Sequence, residues 1–202
     1  MFDTPLLLAK NEGLTFDQRL AKRVLDLVVS IIALVITSPV MLVIAIAIKA
    51  YDGGPVFFVQ DRCTINGKVF KIHKFRSMIE NAEKDGEVIP ATDDDARITP
   101  VGKIIRKTRL DELPQFFDIL IGNMSVVGPR PERVEHVEKY VEEVPEFTYR
   151  MKVKGGLTGY AQIYGKYNTS AYDKLKLDLM YIQNYSILLD LRLILMTVKI
   201  MF

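Results

Sequence analysis

The segment Arg106-Lys107-Thr108-Arg109-Leu110-Asp111-Glu112-Leu113-Pro114-Gln115 sets two adjacent carboxylates directly behind three cations. Asp111 suits the N-cap of a helix continuing through Pro114, because Asp accepts from first-turn amides and Pro is tolerated there. The same placement suits chemistry. A carboxylate at a helix N-terminus among Arg and Lys is held ionised by the helix dipole and by its neighbours. An ionised carboxylate of low basicity attacks phosphorus and later leaves from an acyl phosphate. Glu112 adds a second oxygen ligand for a divalent cation, and Mg²⁺ commonly takes one or two protein carboxylates beside substrate phosphates. On these residues alone Asp111 is either a cap or a nucleophile.

Candidates for binding phosphate oxygens are Arg106, Arg109, Arg130 and the pair within Lys74-Phe75-Arg76. Any one of them reads as a surface ion pair; their clustering points to an anion. Arg130 stands between Pro129 and Pro131, so its backbone is unusually fixed, and an electrostatic clamp requires such aim. Gly156-Leu157-Thr158-Gly159-Tyr160 lacks the Gly-Lys-Ser/Thr ending of a P-loop. It lines a phosphate or turns a corner. His73 and His136 lack ligand spacing and read as structural or exposed. Cys63, the one cysteine, excludes an intramolecular disulfide. Asp93-Asp94-Asp95 reads as a solvated loop rather than a metal site.

These residues must be positioned by mostly helical elements. Thr15 with Gln18 makes a capping box, so a helix starts near Phe16 and ends at Asp52-Gly53-Gly54-Pro55. Val56 to Gln60 and Val69 to Phe75 read as strands of a hairpin around Asn66-Gly67, a type I′ turn signal. Val101 to Arg109 reads as a short basic helix, Asp111 to Ile121 as another. Gly122-Asn123 and Gly128-Pro129 bracket a short apolar strand, and Glu132 to Glu143 is a charged surface helix. Gly155-Gly156 and Gly159 mark unusual dihedrals or close approach. Tyr172 to Asn184 is helical. The tail, Ile187 to Phe202, is apolar but carries Asp190, Arg192 and Lys199, so it is an interfacial amphipathic helix or a packing helix. The fold class is α/β (α+β), mostly helical with a small β-hairpin.

Leu27 to Ile48 is an uncharged, apolar run with Ser38-Pro39 in its middle. It is long enough to cross a bilayer, which takes roughly 20 apolar residues. Arg19, Lys22 and Arg23 precede it and Lys49 follows, and Lys and Arg prefer the cytoplasmic side. A helix that dips in, breaks at Ser38-Pro39 and returns satisfies both ends. An ordinary single-pass anchor is the alternative. The run starts too far in for a secretory signal peptide. With 202 residues and a net charge of +2, the chain is one domain plus a membrane element, or at most two small domains, and nucleic-acid binding gains no support.

Taken jointly, Lys22-Arg23 with Asp26, Ser38-Pro39, Gly54-Pro55-Val56-Phe57-Phe58, Lys74-Phe75-Arg76-Ser77-Met78, Leu110 to Gln115, Met124 to Pro131, Gly156-Leu157-Thr158-Gly159 and Ala161-Gln162 resemble the bacterial sugar transferase family, the monotopic phosphoglycosyl transferases, over roughly residues 16–202. The resemblance implies transfer of a sugar 1-phosphate from a UDP-sugar to a polyprenyl phosphate, with Mg²⁺, through a phosphosugar intermediate on Asp111. It implies phosphate contacts from Arg106 and Arg130, with Lys166 near a basic position, and a re-entrant helix over 16–50 between a lead-in (1–15) and a catalytic domain (51–202). It places the protein at the lipid bilayer, on the cytoplasmic face of a bacterial inner membrane, and leaves room for a homo-oligomer. Many members carry Arg-Pro-Gly where this chain has Lys154-Gly155-Gly156, and Gly-Arg where it has Gly165-Lys166; charge survives but bidentate geometry is lost. The segment before Phe16 resembles the linker that follows extra N-terminal membrane helices in longer members. A membrane-bound phosphohydrolase using the same carboxylate and a non-catalytic membrane scaffold are the competing readings.

Overall fold

The computed structural model describes residues 13–80, 82, 95–165 and 169–201. Lys166, Asp93, Asp94 and most of the lead-in lie outside the described residues. The first element, α1 (Phe16–Asp52), opens on the anticipated capping box: Gln18 N donates to Thr15 Oγ1 at 3.4 Å and Thr15 N donates to Gln18 Oε1 at 2.9 Å. It stops at Gly53, whose φ of 72° is left-handed. Pro39 lies inside it. The helix runs on through Ser38-Pro39 rather than ending there, and the Pro removes the donor at residue 39. Ser38 Oγ donates to Val35 O at 2.9 Å, the carbonyl that an ordinary residue 39 would have bonded.

One stripe of α1, at helical spacing, faces the rest of the protein. Lys22, Asp26 and Ser30 are buried near one end and Met41, Ile44 and Ile48 near the other, with Leu34 and Thr37 half-buried between them. The opposite face exposes Val24, Val28, Ile31, Ile32, Val35, Ile36, Val40, Leu42, Val43 and Ile46. Length and composition make α1 the one such helix among the described residues able to cross a membrane, and so broad an apolar face calls for lipid or a partner.

β1 (Phe57–Cys63) and β2 (Val69–Phe75) form the antiparallel hairpin, from Phe57 opposite Phe75 to Cys63 opposite Val69. Its turn has Asn66 at φ 56° and Gly67 at φ 70°, with Lys68 N donating to Ile65 O at 3.1 Å, as a type I′ turn requires. Next come α2 (Pro100–Lys107), a 3-10 turn over Leu110–Glu112, and α3 (Gln115–Leu120). The single helix anticipated from Asp111 is thus divided. Arg109, at φ 57°, is the cap of the 3-10 turn, Pro114 caps α3, and Asp111 caps neither.

β3 (Ser125–Val127) pairs in parallel with β4 (Gly156–Thr158), a pairing absent from the sequence reading. A Cβ on Gly156 would collide with the backbone of Gly128, so the glycine at 156 serves close approach. Around this pair stand α4 (Val134–Glu143), a 3-10 helix over Pro145–Lys152, α5 (Tyr160–Tyr164), α6 (Ala171–Gln183) and α7 (Ile187–Met201). The main core joins Phe70, Ile72, Ile119, Met124, Val127, Phe147, Leu175, Leu179, Tyr181 and Leu193; a second packs Met41, Ile44 and Ile48 against Phe75, Ile105 and Leu113. α7 packs through one face and leaves another apolar and exposed: Asp190 and Leu193 are buried, while Leu188, Leu191, Leu195, Val198 and Ile200 are exposed.

Candidate active site

The 3-10 turn brings Asp111 and Glu112 beside β2. Glu112 Oε1 accepts from Lys74 Nζ at 2.7 Å and from Arg130 Nη2 at 2.6 Å. Burial raises the Glu112 carboxyl, but Arg130 and Lys74 outweigh it and hold the group far below the usual carboxylate range. Burial lowers the Lys74 ammonium, and Glu112 opposes that shift. Glu112 raises the Arg130 guanidinium, against burial.

Asp111 has the opposite surroundings. It is 9% exposed and, among the described residues, makes no ion pair. Burial pushes its carboxyl up; Lys74 and Arg106 pull it down, and Glu112 pushes it up again. The cations do pull the Asp111 carboxyl down as expected, but burial outweighs them, and a three-residue 3-10 turn over Leu110–Glu112 stands where a helix N-terminus was anticipated. Asp111 opens, with Lys74, Arg76 and Arg106, onto a cleft of about 570 Å³.

The remaining sequence candidates separate. Arg76 is buried and ion-paired to Asp52 at the end of α1, so it ties that helix to the cleft wall. Arg109 is exposed and does not line the cleft. Ser38 and Pro39 are in α1, away from the carboxylates in sequence and exposed. His73 is structural as anticipated: its Nδ1 lies 2.7 Å from Oδ1 of the wholly buried Asp118, pinning β2 to α3.

Arg130 is held by its backbone. Five consecutive carbonyls are each bonded: Gly128 O by Gln162 Nε2 (3.3 Å), Pro129 O by Gly156 N (2.9 Å), Arg130 O by Arg150 Nη2 (2.9 Å), Pro131 O by Arg62 Nη1 (3.3 Å) and Glu132 O by Cys63 N (2.9 Å). Arg150, itself buried, is fixed by Asp178 at 2.7 Å. Sequence reasoning anticipated rigidity from the flanking prolines but missed Arg150, Asp178 and Arg62. The signal available was only that Asp178 shares the helix face of Leu175, Leu179 and Ile182. Arg62 lines the cleft; burial first, then Arg130 and Arg133, push its guanidinium down to about 10.

The described residues contain no group of three or more His, Cys, Asp or Glu suited to a metal ion. A hard divalent cation that keeps most of its shell from water and phosphate needs fewer. Asp111 and Glu112 fit such an ion as an oxygen pair, and Asp111, buried next to another carboxylate, lacks the positive partner that its neighbour has.

Lys74, Arg76 and Arg106 thus line one cleft with the buried Asp111 carboxylate, and Asp52 at the end of the long apolar helix reaches the same wall through Arg76. The chain belongs to the bacterial sugar transferase family, whose match covers residues 17–202. It is 46% identical over 203 residues to the UDP-glucose:undecaprenyl-phosphate glucose-1-phosphate transferase of Klebsiella pneumoniae, covering 98% of this chain and 42% of that protein. It is 43% identical over 181 residues to the UDP-N-acetylgalactosamine-undecaprenyl-phosphate N-acetylgalactosaminephosphotransferase of Aeromonas hydrophila, 88% of this chain and 43% of that protein. The uncharacterized sugar transferase EpsL of Bacillus subtilis is 39% identical over 178 residues, 88% of this chain and 85% of that protein. The chain thus spans less than half the length of the first two relatives.

Proposed function

We propose that this chain transfers a sugar 1-phosphate from a UDP-sugar to a polyprenyl phosphate at a membrane surface, giving polyprenyl diphosphate-sugar and UMP, in two displacements through Asp111. In the first, an Asp111 carboxylate oxygen bonds to the β-phosphorus. The bond from that phosphorus to the oxygen bridging the α-phosphate breaks, and UMP leaves with the electron pair. In the second, a phosphate oxygen of the lipid bonds to the same phosphorus and the Asp111 carboxylate leaves. The observation that carries this reading is the contrast between Asp111, buried and unpaired at a cationic cleft, and Glu112, held by Lys74 and Arg130. A group fixed by two cations supports; a group without an ion pair remains available to react.

Lys74 and Arg106 line the cleft beside Asp111 and orient anionic phosphate toward it. Arg130, anchored through its carbonyls, holds Glu112 in place. Asp111 and Glu112 would hold Mg²⁺, which when bound withdraws charge from phosphate oxygens and favours the ionised form of Asp111. The reading for α1 is re-entrant, with both ends on the cytoplasmic face: Lys22 and Ile48 both pack onto the one catalytic body, and the face between them is apolar and exposed.

Asp111→Asn should abolish both UMP release and lipid-linked product, at least a thousandfold, while the protein still partitions into membranes. A donor labelled at the β-phosphorus should label the wild-type chain in the absence of lipid and leave Asp111→Asn unlabelled. Near-full turnover by Asp111→Asn would remove the proposed nucleophile. Sustained release of sugar phosphate without lipid would favour hydrolysis instead.

A further inference from the structure

The cleft beside Asp111 has two chemically different ends. Pro55, Phe57 and Phe58 line one, directly after the end of α1; Gln60, Arg62 and Arg133 line the other. Alternation puts Phe58, Gln60 and Arg62 on one face of β1, and Lys74 is the register partner of Phe58. The Arg62 backbone therefore lies beyond the Lys74 level, away from α1, by about 13 Å of strand, and its side chain turns back along the strand to Gln60. Arg62 and Arg133 are joined by a backbone bridge, so the main chain fixes two guanidinium-bearing residues side by side. Arg62 Nη2 donates to Gln60 Oε1 at 2.6 Å and Nη1 to Pro131 O at 3.3 Å, while its Nε is buried without a partner. Among the described residues Arg62 makes no ion pair.

We infer that Arg62 and Arg133 form the subsite for the phosphate that stays with the departing nucleoside, at the end of the cleft remote from the membrane helix. The inference rests on the transferase reading and assigns the two substrates to opposite ends. The transferred phosphorus must sit at Asp111, so the rest of the donor extends one way or the other. The end continuous with α1 carries Pro55, Phe57 and Phe58, and its Arg76 is already paired with Asp52, which suits the phosphate of a lipid held by that helix. The other end offers planar forks, which match the oxygens of a phosphate monoester.

Two variants test this. Arg133→Gln removes a charge without removing a helix cap bond, since Arg133 caps α4 with no side-chain hydrogen bond of that kind. Arg62→Lys keeps a charge and loses the fork. Each should weaken UMP binding, measured by equilibrium dialysis of detergent-solubilised protein, by about tenfold to a hundredfold. Each should raise the KM for UDP-sugar and the inhibition constant of UMP in parallel, and leave the KM for polyprenyl phosphate within about twofold. A change confined to the lipid KM would overturn the assignment, as would UMP binding unaltered in Arg133→Gln or absent from the wild type. Because dialysis needs no turnover, a wild type that binds UMP through Arg133 but releases none from UDP-sugars would sink the transferase reading and leave the subsite standing.

Discussion

The two ends of α1 are attached to the body by opposite means. Near Phe16 the contacts are polar and buried. Lys22 Nζ donates to Asp190 Oδ2 at 2.7 Å and to Tyr181 OH at 3.0 Å; Arg23 donates to Ile119 O and Leu120 O, each at 2.7 Å; Asp26 Oδ1 accepts from Ser125 Oγ and Val126 N, each at 2.9 Å. Toward Asp52 the contacts, apart from the Asp52–Arg76 ion pair at the last turn, are apolar: Met41, Ile44 and Ile48 against Phe75, Ile105 and Leu113. Apolar burial supplies stability in proportion to area and is indifferent to small slips. Directional hydrogen bonds to buried groups tolerate none. The first half of the helix therefore fixes register, and the second supplies adhesion. Asp26 reaches the strand that leads directly into Gly128-Pro129-Arg130, so that register extends to the active site.

The largest effect should come from leaving a buried charge alone. Lys22→Met strands Asp190 and should cost about 3–5 kcal/mol, whereas Lys22→Met with Asp190→Leu should recover most of it; denaturant titration in mild detergent measures both. If the double variant is as weak as the single, the seam contributes more than charge compensation. Ile44→Ala should cost about 2–4 kcal/mol by cavity formation, with the turnover of the remaining folded fraction unchanged. Asp26→Ala should cost about 1–3 kcal/mol, because Val126 N loses its acceptor. Unlike Ile44→Ala, it should also lower turnover per folded molecule, since β3 loses its tether. Equal losses of specific activity in these two variants would erase the distinction between register and adhesion. Ser38→Ala should be smallest, at most about 1 kcal/mol, with a measurable change in helix content only if the freed Val35 carbonyl finds no other donor.

What the sequence made legible was local. Thr15 with Gln18, Asn66-Gly67 and Gly53 each act within a few residues, and each forms the cap, turn or stop that its chemistry dictates. The clustering of Asp111, Glu112, Arg106 and Lys74 was legible as composition, although its electrostatic balance was not, because desolvation depends on what covers the site. Arg76 shows the same limit: its type suits phosphate, but Asp52, which folds back from the end of α1, takes it. Lys22 with Asp190, Asp26 with Ser125 and Arg150 with Asp178 bring together polar groups far apart in the chain. No single-sequence pattern pairs them. The parallel pairing of β3 with β4 was hidden for the same reason, since two three-residue strands carry no periodicity of their own.

The row of five tethered carbonyls around Arg130 has a consequence for how this chemistry can diversify. With every acceptor from 128 to 132 engaged, that loop is fixed in shape, and under the proposed function it has no slack to follow a differently shaped sugar. Adaptation to a new donor would then fall to the cleft wall that β1 and β2 form. Swapping that wall between two members with different sugars, while leaving the Pro-Arg-Pro post untouched, is the graft that should carry sugar choice with it.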